Sequence, residues 1–246
     1  MEHSSEKQGK IQKFLPFLIL LITAVVFSNS INNEFINLDD PQYVTENEQV
    51  KELTFDNIRE IFTSYTHGHY QPLSVLTYAV DHAIYGMNAP GFRITNILLH
   101  LLSVLLVFYF LKRITGKPWI ASLITLLFAV HPMRVESVVW ISERKDVLYA
   151  VFYLGAMLFY LNYLENKNIR KNYLLTLLFF VLSLFAKSMA VTLPLVLLLL
   201  DWYKKRTWRI GWITEKLPFL ALSVVFGIIV IQSQAASGLI EDSAVS

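Results

Sequence analysis

Two stretches of the chain hold residues suited to chemistry. Asn37-Leu38-Asp39-Asp40-Pro41 places adjacent carboxylates a few residues beyond an apolar run. Neighbouring carboxylates repel, so one holds its proton more tightly, and a carboxylate beside a low-dielectric boundary becomes a better base. The same residues also suit a helix start, with Asp40 as N-cap and Pro41 in the first position. The second stretch is His131-Pro132-Met133-Arg134-Val135-Glu136, followed by Trp140 and Ser142-Glu143-Arg144-Lys145-Asp146. Cations at a membrane rim can clamp a phosphate whose lipid tail stays in the bilayer. Ion pairing among Glu143, Arg144, Lys145 and Asp146 would employ those residues structurally instead. His131 and Glu136, together with the Asp pair, are residue types that accept a divalent metal.

Other polar residues stand in apolar surroundings. Asn96 and His100, four apart, share one helix face, where they either meet a substrate or form an interhelical hydrogen bond. Lys187, between Ala186 and Ser188, is a lone cation that either snorkels to water or meets a lipid phosphate. The chain has no P-loop, dinucleotide fingerprint, nucleophile elbow or zinc-protease motif. Any catalysis would therefore draw on an activated substrate delivered within the membrane. Cysteine is absent, which excludes disulfides, thiolate ligands and cysteine nucleophiles. A net charge of +2 gives no reason to expect a nucleic-acid partner.

The elements that position these residues are set by lipid. A 54% hydrophobic, 14% aromatic composition exceeds that of a soluble domain. Apolar runs cover Phe14 to Ile31, Ile94 to Leu111, Trp119 to Val130, Val147 to Leu164, Tyr173 to Ala186, Met189 to Leu200 and Leu217 to Ile231. They predict an all-α membrane protein crossing the bilayer about seven times, with several runs shorter than the ~20 residues of a perpendicular span. The first run reads as an uncleaved anchor rather than a signal peptide, since no clear cleavage site follows it.

Cationic side chains resist translocation, so the basic residues set the orientation. With the N-terminus in the cytoplasm, fourteen of the 21 Lys and Arg fall inside, among them Lys7, Lys10, Lys13, Arg170, Lys171, Lys204, Lys205 and Arg206. The remaining seven, Lys51, Arg59, Arg93, Arg134, Arg144, Lys145 and Lys187, fall outside. Reading Tyr173 to Leu200 as one span would reverse the Lys204-Lys205-Arg206 cluster. Two short spans with Lys187 at an outer turn keep it inside.

Residues 1–13 then form a cytoplasmic terminus, 14–231 a transmembrane module, and 232–246 an outer loop cut short. Within the module, residues 32–93 make a large outer loop. There Phe55, Ile58 and Phe62 follow Thr54, a good N-cap, and Leu73, Leu76, Val80 and Ile84 follow Pro72 and precede Gly86. Both patterns predict amphipathic helices lying on the membrane.

The ordered series Phe35-Ile36-Asn37-Leu38-Asp39-Asp40, Tyr70-Gln71-Pro72-Leu73-Ser74, His131 through Glu136, Trp140 through Asp146, Ala190-Val191-Thr192-Leu193-Pro194 and Leu200-Asp201-Trp202 resembles the transmembrane and tetratricopeptide-repeat O-mannosyltransferases and their bacterial relatives. The resemblance runs from about Phe35 to Trp202. It implies a GT-C-like fold in a bacterial inner membrane. It also implies transfer of mannose or a similar hexose from a polyprenyl-phosphate donor to a hydroxyl on an acceptor protein or glycan at the outer face. Asp39-Asp40 matches the family's essential acidic position. Arg134, Arg144, Lys145 and Lys187 would then neutralise the departing phosphate. The C-terminal repeats are missing, and Lys187 is not followed by the acidic residue expected there. From another class, a lipid-linked-sugar transporter or assembly scaffold would use the basic rim without needing the Asp pair.

Overall fold

The computed structural model describes residues 2–207 and 209–238, with side chains from Phe14 onward. Lys7, Lys10, Lys13, Glu241 and Asp242 lie outside the described side chains. Among the described residues the chain is helical throughout: α1 (Glu2–Ser28), α2 (Glu48–Lys51), α3 (Phe55–Thr63), α4 (Pro72–Tyr85), α5 (Ala89–Thr115), α6 (Pro118–Ala129), α7 (Arg134–Val139), α8 (Arg144–Leu164), α9 (Ile169–Ala186), α10 (Leu193–Tyr203) and α11 (Gly211–Ala236). A π-turn occupies Pro41–Thr45, and short 3-10 turns Ile141–Glu143 and Ser188–Thr192.

Local signals set many of these boundaries. Proline stands in the first turn of α4, α5, α6 and α10, where its missing N–H has no helical partner to lose. The Thr54 hydroxyl accepts the Asn57 N–H at 3.2 Å and caps α3. Gly116, at φ 66°, ends α5 in a left-handed conformation that disfavours side chains.

Four segments are long and apolar enough to cross a bilayer: Ala89–Thr115, Ile141–Leu164, Ile169–Ala186 and Gly211–Ala236. Phe14–Ser28, Pro118–Ala129 and Ser188–Tyr203 are shorter apolar helices, so each of the seven expected runs has a helical counterpart. The expected break at Lys187 is present, with extended backbone at φ −155° between α9 and the 3-10 turn.

Helices α8 and α9 form a close antiparallel pair. A Cβ built on Gly155 would lie 2.4 Å from Phe179 Cδ1, so only glycine permits this approach. Tyr160, Leu161, Phe180, Leu184, Leu197 and Phe219 fill the core between α8, α9, α10 and α11. A second core of Tyr43, Val50, Ile61, Val75, Tyr78 and Phe92 lies under the loop 32–93.

Two sets of hydrogen-bonded polar groups are buried inside the bundle. Asp201 pairs with Lys216 at 2.5 Å and accepts the Tyr160 hydroxyl at 2.7 Å, joining α10, α11 and α8 with all three residues at or below 1% exposure. Arg93 donates to the backbone carbonyls of Val139 and Glu34 at 2.9 and 3.1 Å. These bonds tie the start of α5 to the end of α7 and to the loop that follows α1.

The loop helices form where expected and leave apolar side chains outward. Val80 and Ile84 point outward, while α4 buries Ser74, Val75, Tyr78, Ala79 and Asp81. Likewise α3 leaves Phe55 exposed and buries Ile61. In lipid a leucine gains nothing by turning inward, whereas a polar group gains a partner.

Candidate active site

The two adjacent carboxylates have opposite surroundings. Asp40 is fully buried, and its oxygens accept the Ile36 N–H at 2.8 Å and the Ser142 N–H at 3.0 Å. Pro41 begins the π-turn as expected of a helix start, yet the Asp40 side chain makes no cap bond to it. Instead it staples the loop to the turn that precedes α8. Asp39 is half-buried and lines a cavity of about 290 Å³ with Tyr43, His67, His69, Lys145 and Ser237.

A second cavity of about 130 Å³ adjoins it. His69 and Lys145 line both; Tyr70, Gln71, Lys187, Ser188, Val230, Ser233 and Gln234 complete its wall. Lys145 pairs with Glu143 at 2.8 Å and lies 5.1 Å from the centre of the Tyr43 ring. Lys187 pairs with Asp146, whose other oxygen accepts the Ser137 hydroxyl at 3.1 Å. Both lysines are thus oriented by a carboxylate while facing cavity space. Burial, and then the charges of Asp39 and Glu143, push the Tyr43 phenol well above its ordinary range.

The remaining sequence-derived candidates stand elsewhere. Arg144 is fully buried and lines neither cavity: it pairs with Asp81 at 2.5 Å and donates to Asn96 Oδ1 at 2.7 Å and the Phe92 carbonyl at 2.8 Å. Its guanidinium also lies 4.6 Å from the centre of the Tyr78 ring. Asn96 passes the network on to the Trp140 carbonyl at 3.2 Å. His100 bonds the Ala129 carbonyl at 3.0 Å, so both polar residues of α5 serve helix contacts.

Arg134 stacks over Phe128 at 5.0 Å. His131 accepts the Met133 N–H at 3.2 Å, and Glu136 is exposed. Neither joins the Asp pair: among the described residues no three His, Asp or Glu side chains gather to hold a metal ion.

Sequence reasoning missed His67, His69, Tyr43 and Asp81. The signal for the histidines was their position, His67-Gly68-His69 directly before Tyr70-Gln71-Pro72. For Asp81 it was a lone acid within an apolar helix.

A helical bundle with several membrane-length apolar segments, and a charged two-part cavity at one end, defines a multi-pass membrane protein. Residues 71–233 match the family described as dolichyl-phosphate-mannose-protein mannosyltransferase, and the chain belongs to that family. The Asp39-Asp40 pair lies N-terminal to the matched stretch.

Among similar proteins, the chain is 31% identical over 171 residues to protein O-mannosyl-transferase TMTC4 of Mus musculus, covering 59% of this chain and 23% of that protein. It is 36% identical over 129 residues to protein O-mannosyl-transferase TMTC1 of Homo sapiens, covering 51% and 15%. It is 24% identical over 223 residues to protein O-mannosyl-transferase F38B6.6 of Caenorhabditis elegans, covering 85% and 31%. The chain therefore spans less than a third of the length of these relatives. No solved structure matches it.

Proposed function

We propose that the chain is the membrane module of a glycosyltransferase that moves mannose or a similar hexose from a polyprenyl-phosphate carrier to a hydroxyl, such as a protein Ser or Thr. The observation that carries this reading is the divergence of the Asp pair, with Asp40 buried in a staple and Asp39 facing a cavity that Lys145 also lines. Family membership and the names of the relatives support the sugar and the reaction class.

In this mechanism Asp39 removes the acceptor proton as the acceptor oxygen attacks the anomeric carbon. The carrier phosphate leaves from the opposite side with the bonding electrons, so a single displacement inverts the anomeric centre. Lys145 and Lys187 neutralise the phosphate, exchanging part of their pairing with Glu143 and Asp146 for the ligand. Arg144 acts from the interior by fixing α4 and α5 against the start of α8. The segment between α3 and α4, with His67, His69, Tyr70 and Gln71, walls the cavities and limits the water that would hydrolyse the donor.

The orientation we propose places the N-terminus in the cytoplasm of a bacterial cell and the Asp39 end outside its inner membrane, on the fourteen-to-seven division of basic residues. Turnover of radiolabelled polyprenyl-phosphate sugar by the protein in lipid vesicles tests the reading. Sugar appearing on an acceptor with wild type but not with Asp39→Asn supports it. Donor binding without any transfer by wild type favours the transporter or scaffold.

A further inference from the structure

His69 occupies the wall shared by the two cavities, and the backbone that presents it is built for the purpose. Thr66 and His69 exchange N–H···O bonds of 2.9 and 3.0 Å around a two-residue turn. Both turn residues have positive φ, 50° at His67 and 78° at Gly68. That pairing suits glycine, and for histidine it is uncommon and costs energy. The turn is also anchored from a distant helix, because the buried Ser233 hydroxyl of α11 donates to the Gly68 carbonyl at 3.1 Å. A strained turn, pinned on both sides, holds one imidazole between the Asp39 cavity and the Lys187 cavity.

The charged groups around His69 come from every neighbouring element: Asp39 from the loop before the π-turn, His67 from its own turn, Lys145 from α8, and Lys187 from the start of the 3-10 turn. A reaction run in this space must dispose of one proton per turnover. Asp39 takes it from the acceptor and must lose it again before the next cycle. The departing phosphate, for its part, gains a negative charge, and a phosphate monoester has its second pKa near ~6, within the range of an imidazole.

We propose that His69 relays the acceptor's proton from the Asp39 carboxyl to the departing lipid phosphate. The inference rests on the glycosyltransferase reading above. The acceptor O–H bond breaks, the bond from acceptor oxygen to anomeric carbon forms, and the bond from anomeric carbon to phosphate oxygen breaks. The proton passes to Asp39, then to one ring nitrogen of His69, while the other ring nitrogen gives up its proton to a phosphate oxygen. No oxidant or further reactant is needed, and both Asp39 and the phosphate return to their starting charge.

A relay needs a neutral imidazole, with one nitrogen accepting and the other donating. Burial, then the charges of Lys145 and His67, pushes the His69 imidazole below the usual histidine range, which keeps it neutral at neutral pH. Acid reverses this. As pH falls through the lowered pKa, His69 is protonated and can no longer accept from Asp39, so turnover falls while the phosphate site stays cationic.

The test compares wild type, His69→Gln and Asp39→Asn in lipid vesicles with a radiolabelled polyprenyl-phosphate sugar, measuring donor Kd and kcat against pH. The relay predicts a wild-type acid limb with its midpoint below the ordinary histidine pKa of ~6.5. It predicts that His69→Gln binds donor with unchanged Kd, turns over about 10²-fold more slowly, and moves its acid limb toward the carboxylate range near ~4. Wild-type kcat and pH profile in His69→Gln overturn the relay, as does a wild type with no acid limb in the histidine range, whether or not the variant folds. An inactive Asp39→Asn beside an unaffected His69→Gln removes the relay alone. An active Asp39→Asn removes Asp39 as the base and the relay with it, and a wild type that never transfers removes the glycosyltransferase reading itself.

Discussion

The Asp40 carboxylate accepts the Ser142 N–H at 3.0 Å across 102 residues of sequence, so the residue next to the proposed base is a bond between the loop and the head of α8. Asp39 and Asp40 should respond differently to the same substitution. Asp39→Asn is expected to insert and unfold like wild type while lowering turnover by roughly 10²- to 10⁴-fold. Asp40→Asn keeps one acceptor oxygen and loses the charge on two backbone bonds, which should cost about 1–3 kcal/mol in stability. Thermal unfolding in detergent and vesicle turnover on the same samples separate the two outcomes. Equal stability loss in both variants would count against the divided roles.

Arg144 should behave as an interior residue. Arg144→Gln leaves Asp81 buried without its partner, a change worth about 3–5 kcal/mol when one member of a buried pair is removed. We expect a marked fall in the unfolding midpoint in detergent, with any donor affinity change secondary to it. A stable Arg144→Gln protein with weakened donor binding would return Arg144 to the phosphate clamp.

Lys145→Gln and Lys187→Gln should do the reverse, leaving the fold intact and weakening donor binding. A lost charge-assisted bond of about 1.5–3 kcal/mol corresponds to roughly 10- to 100-fold in Kd. Equilibrium binding of labelled donor, measured at fixed ionic strength, gives the answer. Unaltered affinity in both variants confines the lysines to their carboxylate partners.

The contact between α8 and α9 makes a prediction independent of function. Gly155→Val forces its side chain into the Phe179 ring, and overpacking of this kind costs about 1–3 kcal/mol. Pairing it with Phe179→Ala should restore part of the loss in a detergent unfolding assay. Additive losses in the double variant would mean the two residues do not share the space.

Topology can be checked directly because the chain carries no cysteine of its own. Cysteines placed singly at Asp56 and Gln234 should label from outside intact cells. One at Asn168 should label only after permeabilisation.

What the sequence disclosed was local. The Thr54 cap, the Pro72 start, the Gly86 stop and the break at Lys187 depend on a few adjacent residues, and each appears as read. What it concealed was long-range. Nothing near Arg144 points to Asp81 or to the Phe92 carbonyl, and nothing near Asp40 points to Ser142. The apolar stripes of α3 and α4 were legible, but not which polar residues lie behind them. A bilayer takes such a stripe outward, and the polar Ser74, Tyr78 and Asp81 turn in.

The buried pair of Asp201 and Lys216 bears on how the chain is made. Asp201 stands near the C-terminal end of α10, 15 residues ahead of Lys216, with Arg206 at 3.5 Å as a second cation, and burying its carboxylate carries a penalty until those cations are in place. Helix α10 is also short, so it has little apolar length to offset that penalty. It therefore gains from pairing with α11 as it settles into lipid. We expect α10 and α11 to settle together as a hairpin in which the Asp201 charge is cancelled, chiefly by Lys216.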